Sequence, residues 1–328
     1  MRDHSPQLAG CVPAFGRHRT YPPRQGWLLK VHTALQGDPH LFRHPDATVV
    51  LGVGSSMVPS MRFWAGAFGL VQDDAAGSGA ATPTPRGHWL LDEDGADPYL
   101  EDPASLWLLH WWLLSGTPCS VPAWYYLFAR AGLSTFTRAK LRAYIRRAAE
   151  QTGWKPPADD TIGRDIACMA AMYAPQVGSP DQPRASVEDV LSNPFRDLNL
   201  LRTATPGDDH RGDRSHLLGL NRGAGQLAPD AVLAYACLDH AARIAAPAPG
   251  STTLSLLANG PGSPGRVLLI DTRSLHSALE RAAHRYPGLS VVESAADEVL
   301  LAYSAPPAVL ANKVLAAAYR RPEGPGDR

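Results

Sequence analysis

The chain has little cysteine, no charge excess and no long apolar run, and each shortage removes a class of protein. Its four cysteines (Cys11, Cys119, Cys168, Cys237) are scattered over 328 residues, with no Cys-x-x-Cys pair and no histidine at ligand spacing beside them. That argues against a zinc ribbon or a disulfide framework and leaves reduced, buried thiols in a cytoplasmic protein as the expectation. Lys and Arg number 31, as do Asp and Glu, so the formal net charge is zero. No global field draws such a chain onto nucleic acid, and any surface for it must be local. The most apolar stretch, 106–114, runs for about 9 residues around a histidine, against about 20 needed to cross a bilayer. The N-terminal Met-Arg-Asp-His-Ser-Pro lacks the apolar centre of a signal peptide. Walker lysine, Gly-x-Ser-x-Gly and His-Glu-x-x-His motifs are absent. Gly260-Pro-Gly-Ser-Pro-Gly265 matches a dinucleotide pattern by letters only: its prolines remove amides a phosphate would need, and it reads as a turn.

What is present is an ordinary globular balance, 45% hydrophobic, with 30 prolines and 29 glycines that imply many loops. The length allows two or three domains. Apolar spacing predicts a helix over 26–36, a short one at 45–51 and, after the Gly52-Val-Gly54 break, one from 56 to 68. Pro59 must lie in the first turn of that last helix, which makes Ser55 or Ser56 the expected N-cap. A short strand after Gly69, a polar loop and a second strand at 88–91 complete the element order of a winged helix. Asp102-Pro103 reads as cap and first residue of a helix reaching 115. Helices over 121–130, 134–150 and 160–173 follow, the last two as a second helix–turn–helix candidate. The Pro/Gly/Ser-rich segment 175–186 reads as a linker. Beyond it a small α+β domain is expected: strands near 215–221, 266–271, 289–293 and 298–303, and helices near 229–243, 274–286 and 307–319. The expected fold is mainly α with α+β: a winged-helix domain at 1–116, a helix-turn-helix-like region at 117–180, and an α+β domain at 186–328.

Two surfaces suit DNA. Ser55, Ser56, Ser60 and Arg62 lie at the N-terminal part of the helix that a winged helix lays in the major groove, where hydroxyls and helix amides meet phosphates. The bland alternative is a protein-docking winged helix. Arg138, Lys140, Arg142, Arg146 and Arg147 make the 134–150 helix basic, with Arg138, Arg142 and Arg146 on one face and Lys155 and Arg164 beyond. Here the alternative is a solvated helix face. Asp92-Glu93-Asp94, Asp97, Glu101 and Asp102 could supply the convergent carboxylates that metal-assisted phosphodiester hydrolysis needs, and His110 a general base. Against that, Asp102 has work as a cap, Asp92–Asp94 suit an exposed wing tip, and His110 sits among Trp107, Trp111 and Trp112 as a core histidine would.

The set Leu51-Gly-Val-Gly54, Met57-Val58, Arg62-x-Trp64 and Asp97-Pro-Tyr-Leu-Glu-Asp102 with Leu106-Trp-Leu-Leu-His110 resembles the SspB family, the DNA-nicking component of bacterial single-stranded DNA phosphorothioation (Ssp) systems. Looser matches are Asp160-Thr-Ile-x-Arg-Asp165 with Tyr173, Asn193-Pro194 with Leu198-x-Leu200, and Ser263-Pro-Gly-Arg266 with Asp271. The resemblance covers most of 27–320. It implies a protein that nicks one DNA strand so that sulfur can enter the backbone. The implied partners are DNA, a cysteine desulfurase, an ATPase and an ATP-pyrophosphatase-like sulfur transferase, with homodimerisation left open. Asp97, Glu101, Asp102 and His110 are then the expected catalytic residues. Asp97, Glu101 and Asp102 are the expected ligands of a Mg²⁺ or Mn²⁺ ion. A DNA-binding adaptor without catalysis and a winged-helix transcriptional regulator stand as alternatives.

Overall fold

The computed structural model describes residues 7–175, 193–204 and 217–320. The chain forms two compact units, 1–224 and 225–328. Both mix helices with small antiparallel sheets, three sheets among the described residues. No helix among those residues is long and apolar enough to cross a membrane.

The first unit begins with α1 (Trp27–Gly37), which buries Trp27, Leu28, Val31, His32 and Leu35 at helical spacing. Helix α2 (Ala47–Leu51) ends at Gly52, whose φ of 62° is the left-handed stop a glycine supplies without steric cost. Helix α3 (Val58–Ala67) has Met57 as its N-cap, so Ser55 and Ser56 lie before the helix and not at its cap. Strands β1 (Val71–Asp73) and β2 (Ala81–Pro83) form the antiparallel hairpin that follows. The strand expected at 88–91 is instead α4 (Pro85–Leu91). Thr84 accepts the Gly87 amide, and Pro85 occupies the first turn, where its missing N–H costs nothing. Gly87 is required there, since a Cβ would come 2.2 Å from the Leu70 carbonyl oxygen. The turn between the strands is therefore 74–80, and Asp92–Asp94 follow a helix instead of tipping a hairpin.

Helix α5 (Pro103–Ser115) is buried on every side, from Ala104 through Ser115. A helix apolar all round belongs at the centre of a core. Around this core lie α6 (Pro122–Tyr125), its π-helical continuation Tyr126–Arg130, α7 (Arg138–Gln151) and α8 (Asp159–Tyr173). Trp64, Trp111, Trp112, Trp124, Tyr173 and Phe195 are fully enclosed, and Phe68 stacks on Phe195 at 5.3 Å. Regions 1–116 and 117–180 thus share one compact unit. A second sheet, order β3–β5–β4, joins Thr135–Thr137, Leu217–Leu220 and Leu201–Ala204. The linker expected at 175–186 lies, apart from Pro175, outside the described residues.

In the second unit α9 (Asp230–Ile244) carries the core residues Leu233, Cys237 and Leu238, and burial pushes the Cys237 thiol well up. Helix α10 (Leu254–Asn259) is followed by α11 (Pro264–Val267), and the end of α11 with the turn after it stands where a strand is expected at 266–271. Ser263 caps α11, and Gly265 sits so close to α10 that a Cβ would lie 2.2 Å from the Ala258 carbonyl oxygen. Asp271 caps α12 (Thr272–Arg285), and the amide and hydroxyl of Ser274 hold its carboxyl down at about 2. Strands β6 (Gly250–Thr253), β7 (Leu289–Glu293) and β8 (Val299–Tyr303) form the third sheet, β8 in the centre. Helix α13 (Pro307–Ala318) packs on α9.

Candidate nucleic-acid interface and metal ligands

Asp97 follows α4 and is buried, with 8% of its surface exposed. Its Oδ1 accepts the Glu101 amide at 2.9 Å, and its Oδ2 accepts the Asp102 amide at 3.0 Å and the Ser105 hydroxyl at 2.6 Å. One carboxylate therefore closes the turn and fastens it to α5. Asp102 takes the Ala104 amide at 2.8 Å, the cap the sequence announces. Glu101 is exposed. His110 is fully buried, its Nδ1 2.8 Å from the Tyr173 hydroxyl and its ring edge-on to Phe128 and Tyr173. Burial raises the Tyr173 hydroxyl far above its ordinary range, so it stays a neutral phenol. Asp97, Asp102 and His110 thus serve the fold, and of the four expected catalytic residues Glu101 and Asp102 are exposed, Asp102 with one carboxylate oxygen on the Ala104 amide.

The other matched motifs are also fasteners. Asp165 is buried, accepts the Gly16 amide at 2.8 Å and lies 2.7 Å from His18 Nε2. His18 Nδ1 accepts the Thr20 amide, which leaves the ring hydrogen on Nε2, pointing at Asp165. Asn193 donates to the Ala171 and Met172 carbonyls and caps the 3-10 turn Pro194–Leu198.

The expected DNA-contact residues fall into two groups. Ser55 and Ser56 are exposed, and the Ser56 and Tyr21 hydroxyls lie 3.1 Å apart. Ser60 is fully buried and donates to the His18 carbonyl at 3.0 Å, which withdraws it from any surface. Arg62 pairs with Asp73 of the hairpin at 2.6 Å and lies over the Phe42 ring. On α7, Arg146 meets Asp159 at 2.8 Å and Glu150 at 3.5 Å, and Arg142 reaches Asp159 at 3.9 Å. The expected Arg138–Arg142–Arg146 stripe is therefore partly neutralised by the start of α8. Lys140 and Arg147, seven apart and both exposed, share a different face with Tyr144 between them. Lys155 and Arg164 are exposed, and Arg164 donates back to the Asp160 carbonyl.

Metal ligands gather elsewhere. Among the described residues, one group of three or more His, Cys, Asp or Glu side chains converges within 4.8 Å: His32, His88 and Asp92. Asp97, Glu101 and Asp102, the expected Mg²⁺ or Mn²⁺ ligands, do not converge, because Asp97 turns inward onto backbone amides. Helix α1 supplies His32; His88 lies on α4 and Asp92 is the C-cap of that helix. Burial opposes ionisation of Asp92, yet hydrogen bonds from His32 and His88 outweigh it and hold the carboxyl below its usual range. This group was not singled out from the sequence. The signal present was His88-x-x-x-Asp92 at helical spacing; His32 is 56 residues before His88 in the chain.

The chain matches a family model described as "Protein of unknown function (DUF4007)" over residues 15–319. An SspB crystal structure is 40% identical, with a TM-score of 0.84, covering 97% of this chain and 92% of that chain. A magnesium ion-bound SspB crystal structure is 39% identical, with the same TM-score and coverage. No curated protein matches. For magnesium the nitrogen-rich His32–His88–Asp92 group is a poor fit, since that ion prefers six oxygen ligands.

Proposed function

This chain belongs to the DUF4007 family and is SspB-like over nearly its whole length, and on that premise we propose that it is the DNA-acting component of an Ssp phosphorothioation system. The single observation behind this reading is the 40% identity to SspB across 97% of the chain. In the finer reading the protein nicks one strand, opening the backbone for a cysteine desulfurase, an ATPase and an ATP-pyrophosphatase-like sulfur transferase. Segment α1–α3 with the β1–β2 hairpin is the winged-helix reader of duplex DNA, with Ser55 and Ser56 ahead of α3. The Lys140–Tyr144–Arg147 face of α7, with Lys155 and Arg164, is the second contact. A neutral protein needs such a local basic face, because its overall charge attracts nothing. In this reading Glu101, exposed just before α5, is the carboxylate that acts at the scissile phosphate.

A second reading, a DNA-binding adaptor without cleavage, draws on the engagement of Asp97, Asp102 and His110 in the fold. Both readings predict salt-sensitive binding, measured by fluorescence anisotropy on labelled duplex and single-stranded DNA. The double variant Lys140→Glu/Arg147→Glu is expected to weaken binding on all sequences and to lower the salt slope by about two. Arg142→Glu/Arg146→Glu is expected to do less, because those guanidinium groups already face Asp159. Binding left unchanged by Lys140→Glu/Arg147→Glu, or weakened less than by Arg142→Glu/Arg146→Glu, would remove the Lys140–Arg147 face from the interface.

A further inference from the structure

We propose that His32, His88 and Asp92 form a binding site for a divalent transition ion of the zinc class. The site goes beyond the DNA reading and stands whether or not the protein cleaves. Three donors crowd a single oxygen, Asp92 Oδ1: His32 Nε2 at 2.7 Å, Gln36 Nε2 at 2.8 Å and His88 Nδ1 at 3.0 Å. A carboxylate oxygen offers two lone-pair directions, so three donors on this one exceed what hydrogen bonding needs. A cation uses the same atoms differently, taking a lone pair from each imidazole and from the carboxylate. The two contacts to Asp92 Oδ1, 2.7 and 3.0 Å, are shorter than the roughly 3.3 Å ligand–ligand edge around a tetrahedral zinc, so an outward shift of the part-exposed Asp92 carboxylate admits the ion.

The two helices preorganise the group. His32 and Gln36 are one turn apart on α1, and His88 and Asp92 one turn apart at the end of α4. The His32 side chain is 1% exposed and edge-on to the His88 ring at 5.3 Å, which limits its rotation. The His88 and Asp92 side chains are 46% and 30% exposed, so the outer side of the group faces solvent. Three protein ligands with one position facing water is the pattern of an open zinc site. Two imidazoles and one carboxylate select zinc, cobalt or nickel over magnesium by donor softness. The open position takes water or an anionic oxygen, the phosphate of a nucleic acid included.

The test uses the full chain, stripped with a chelator, and titrates Zn²⁺ and separately Mg²⁺ by calorimetry, with Co²⁺ absorption as a geometry probe. The expected result is one Zn²⁺ per chain, bound at least about 100-fold more tightly than Mg²⁺. His88→Ala and Asp92→Asn are each expected to weaken Zn²⁺ by about 100-fold or more while metal-free circular dichroism stays unchanged. His88→Ala truncates a half-exposed side chain, and Asp92→Asn keeps the shape of the carboxylate, so one of the two folds even if the other does not. Zn²⁺ binding unchanged in both variants, no Zn²⁺ binding at all, or Mg²⁺ bound as tightly as Zn²⁺ would each overturn the proposal. Zn²⁺ binding with loss of DNA affinity in neither variant leaves the site intact and separates it from the DNA reading.

Discussion

Asp97→Ala is expected to lose about 3–5 kcal/mol of stability, because it strands two backbone amides and a hydroxyl that now meet one buried carboxylate. Charge-assisted bonds of this kind are worth about 1.5–3 kcal/mol each. For a unit of this size the melting temperature should fall by on the order of 10 °C. Asp97→Asn keeps the volume and one acceptor but turns an amide toward a donor, so roughly half the loss should remain. Ser105→Ala, which removes one donor and leaves the two amides served, should cost about 1–2 kcal/mol. Differential scanning calorimetry on the three variants gives the ordering directly. A catalytic Asp97 would behave otherwise: its alanine variant would melt with the parent and fail only in DNA cleavage.

Asp165→Ala should be comparably damaging, about 3–5 kcal/mol by chemical denaturation, since it leaves the buried His18 and the half-buried Gly16 amide without their shared acceptor. His18 lies among Phe63, Trp64 and Trp124, so no water reaches it cheaply. The double variant His18→Phe/Asp165→Leu replaces the pair by apolar groups of similar size. It should recover much of the loss, because an apolar pair needs no compensation for desolvation. A double-mutant cycle then yields a coupling energy of at least about 1 kcal/mol. Additive losses would mean that the 2.7 Å contact holds nothing.

These two carboxylates also show what the sequence could and could not disclose. Asp102-Pro103 announces a helix start by local chemistry alone, and the cap is there. The periodic helices α1, α7 and α8 and the strands at 289–293 and 299–303 are likewise local signals. Local signals also misled: Val267-Leu-Leu-Ile270 has the apolarity of a strand, yet Ser263-Pro264 starts a helical turn and Leu269 takes a φ of 54°. Thr84-Pro85 carried the same kind of start signal for α4, hidden within a Thr-Pro-Thr-Pro run that reads as loop. Asp97 suggested metal because its partners, three of them within eight residues, are backbone amides and a hydroxyl whose directions depend on a left-handed Leu100. Asp165 joins His18 across 147 positions, and Asp92 joins His32 across 60. No periodicity reports contacts at that range. The motifs that tie the chain to its family are mostly such fasteners, which explains why they identify the fold more firmly than the chemistry.

Conversion of supercoiled plasmid to open circle by the purified full chain tests the proposed activity most directly. A nickase should accumulate open circle without linear product in Mg²⁺ or Mn²⁺, and Glu101→Gln should lose that conversion while melting like the parent and still binding DNA. Tight, salt-sensitive DNA binding with no open circle in any divalent ion would contradict strand cleavage and leave the chain as an adaptor.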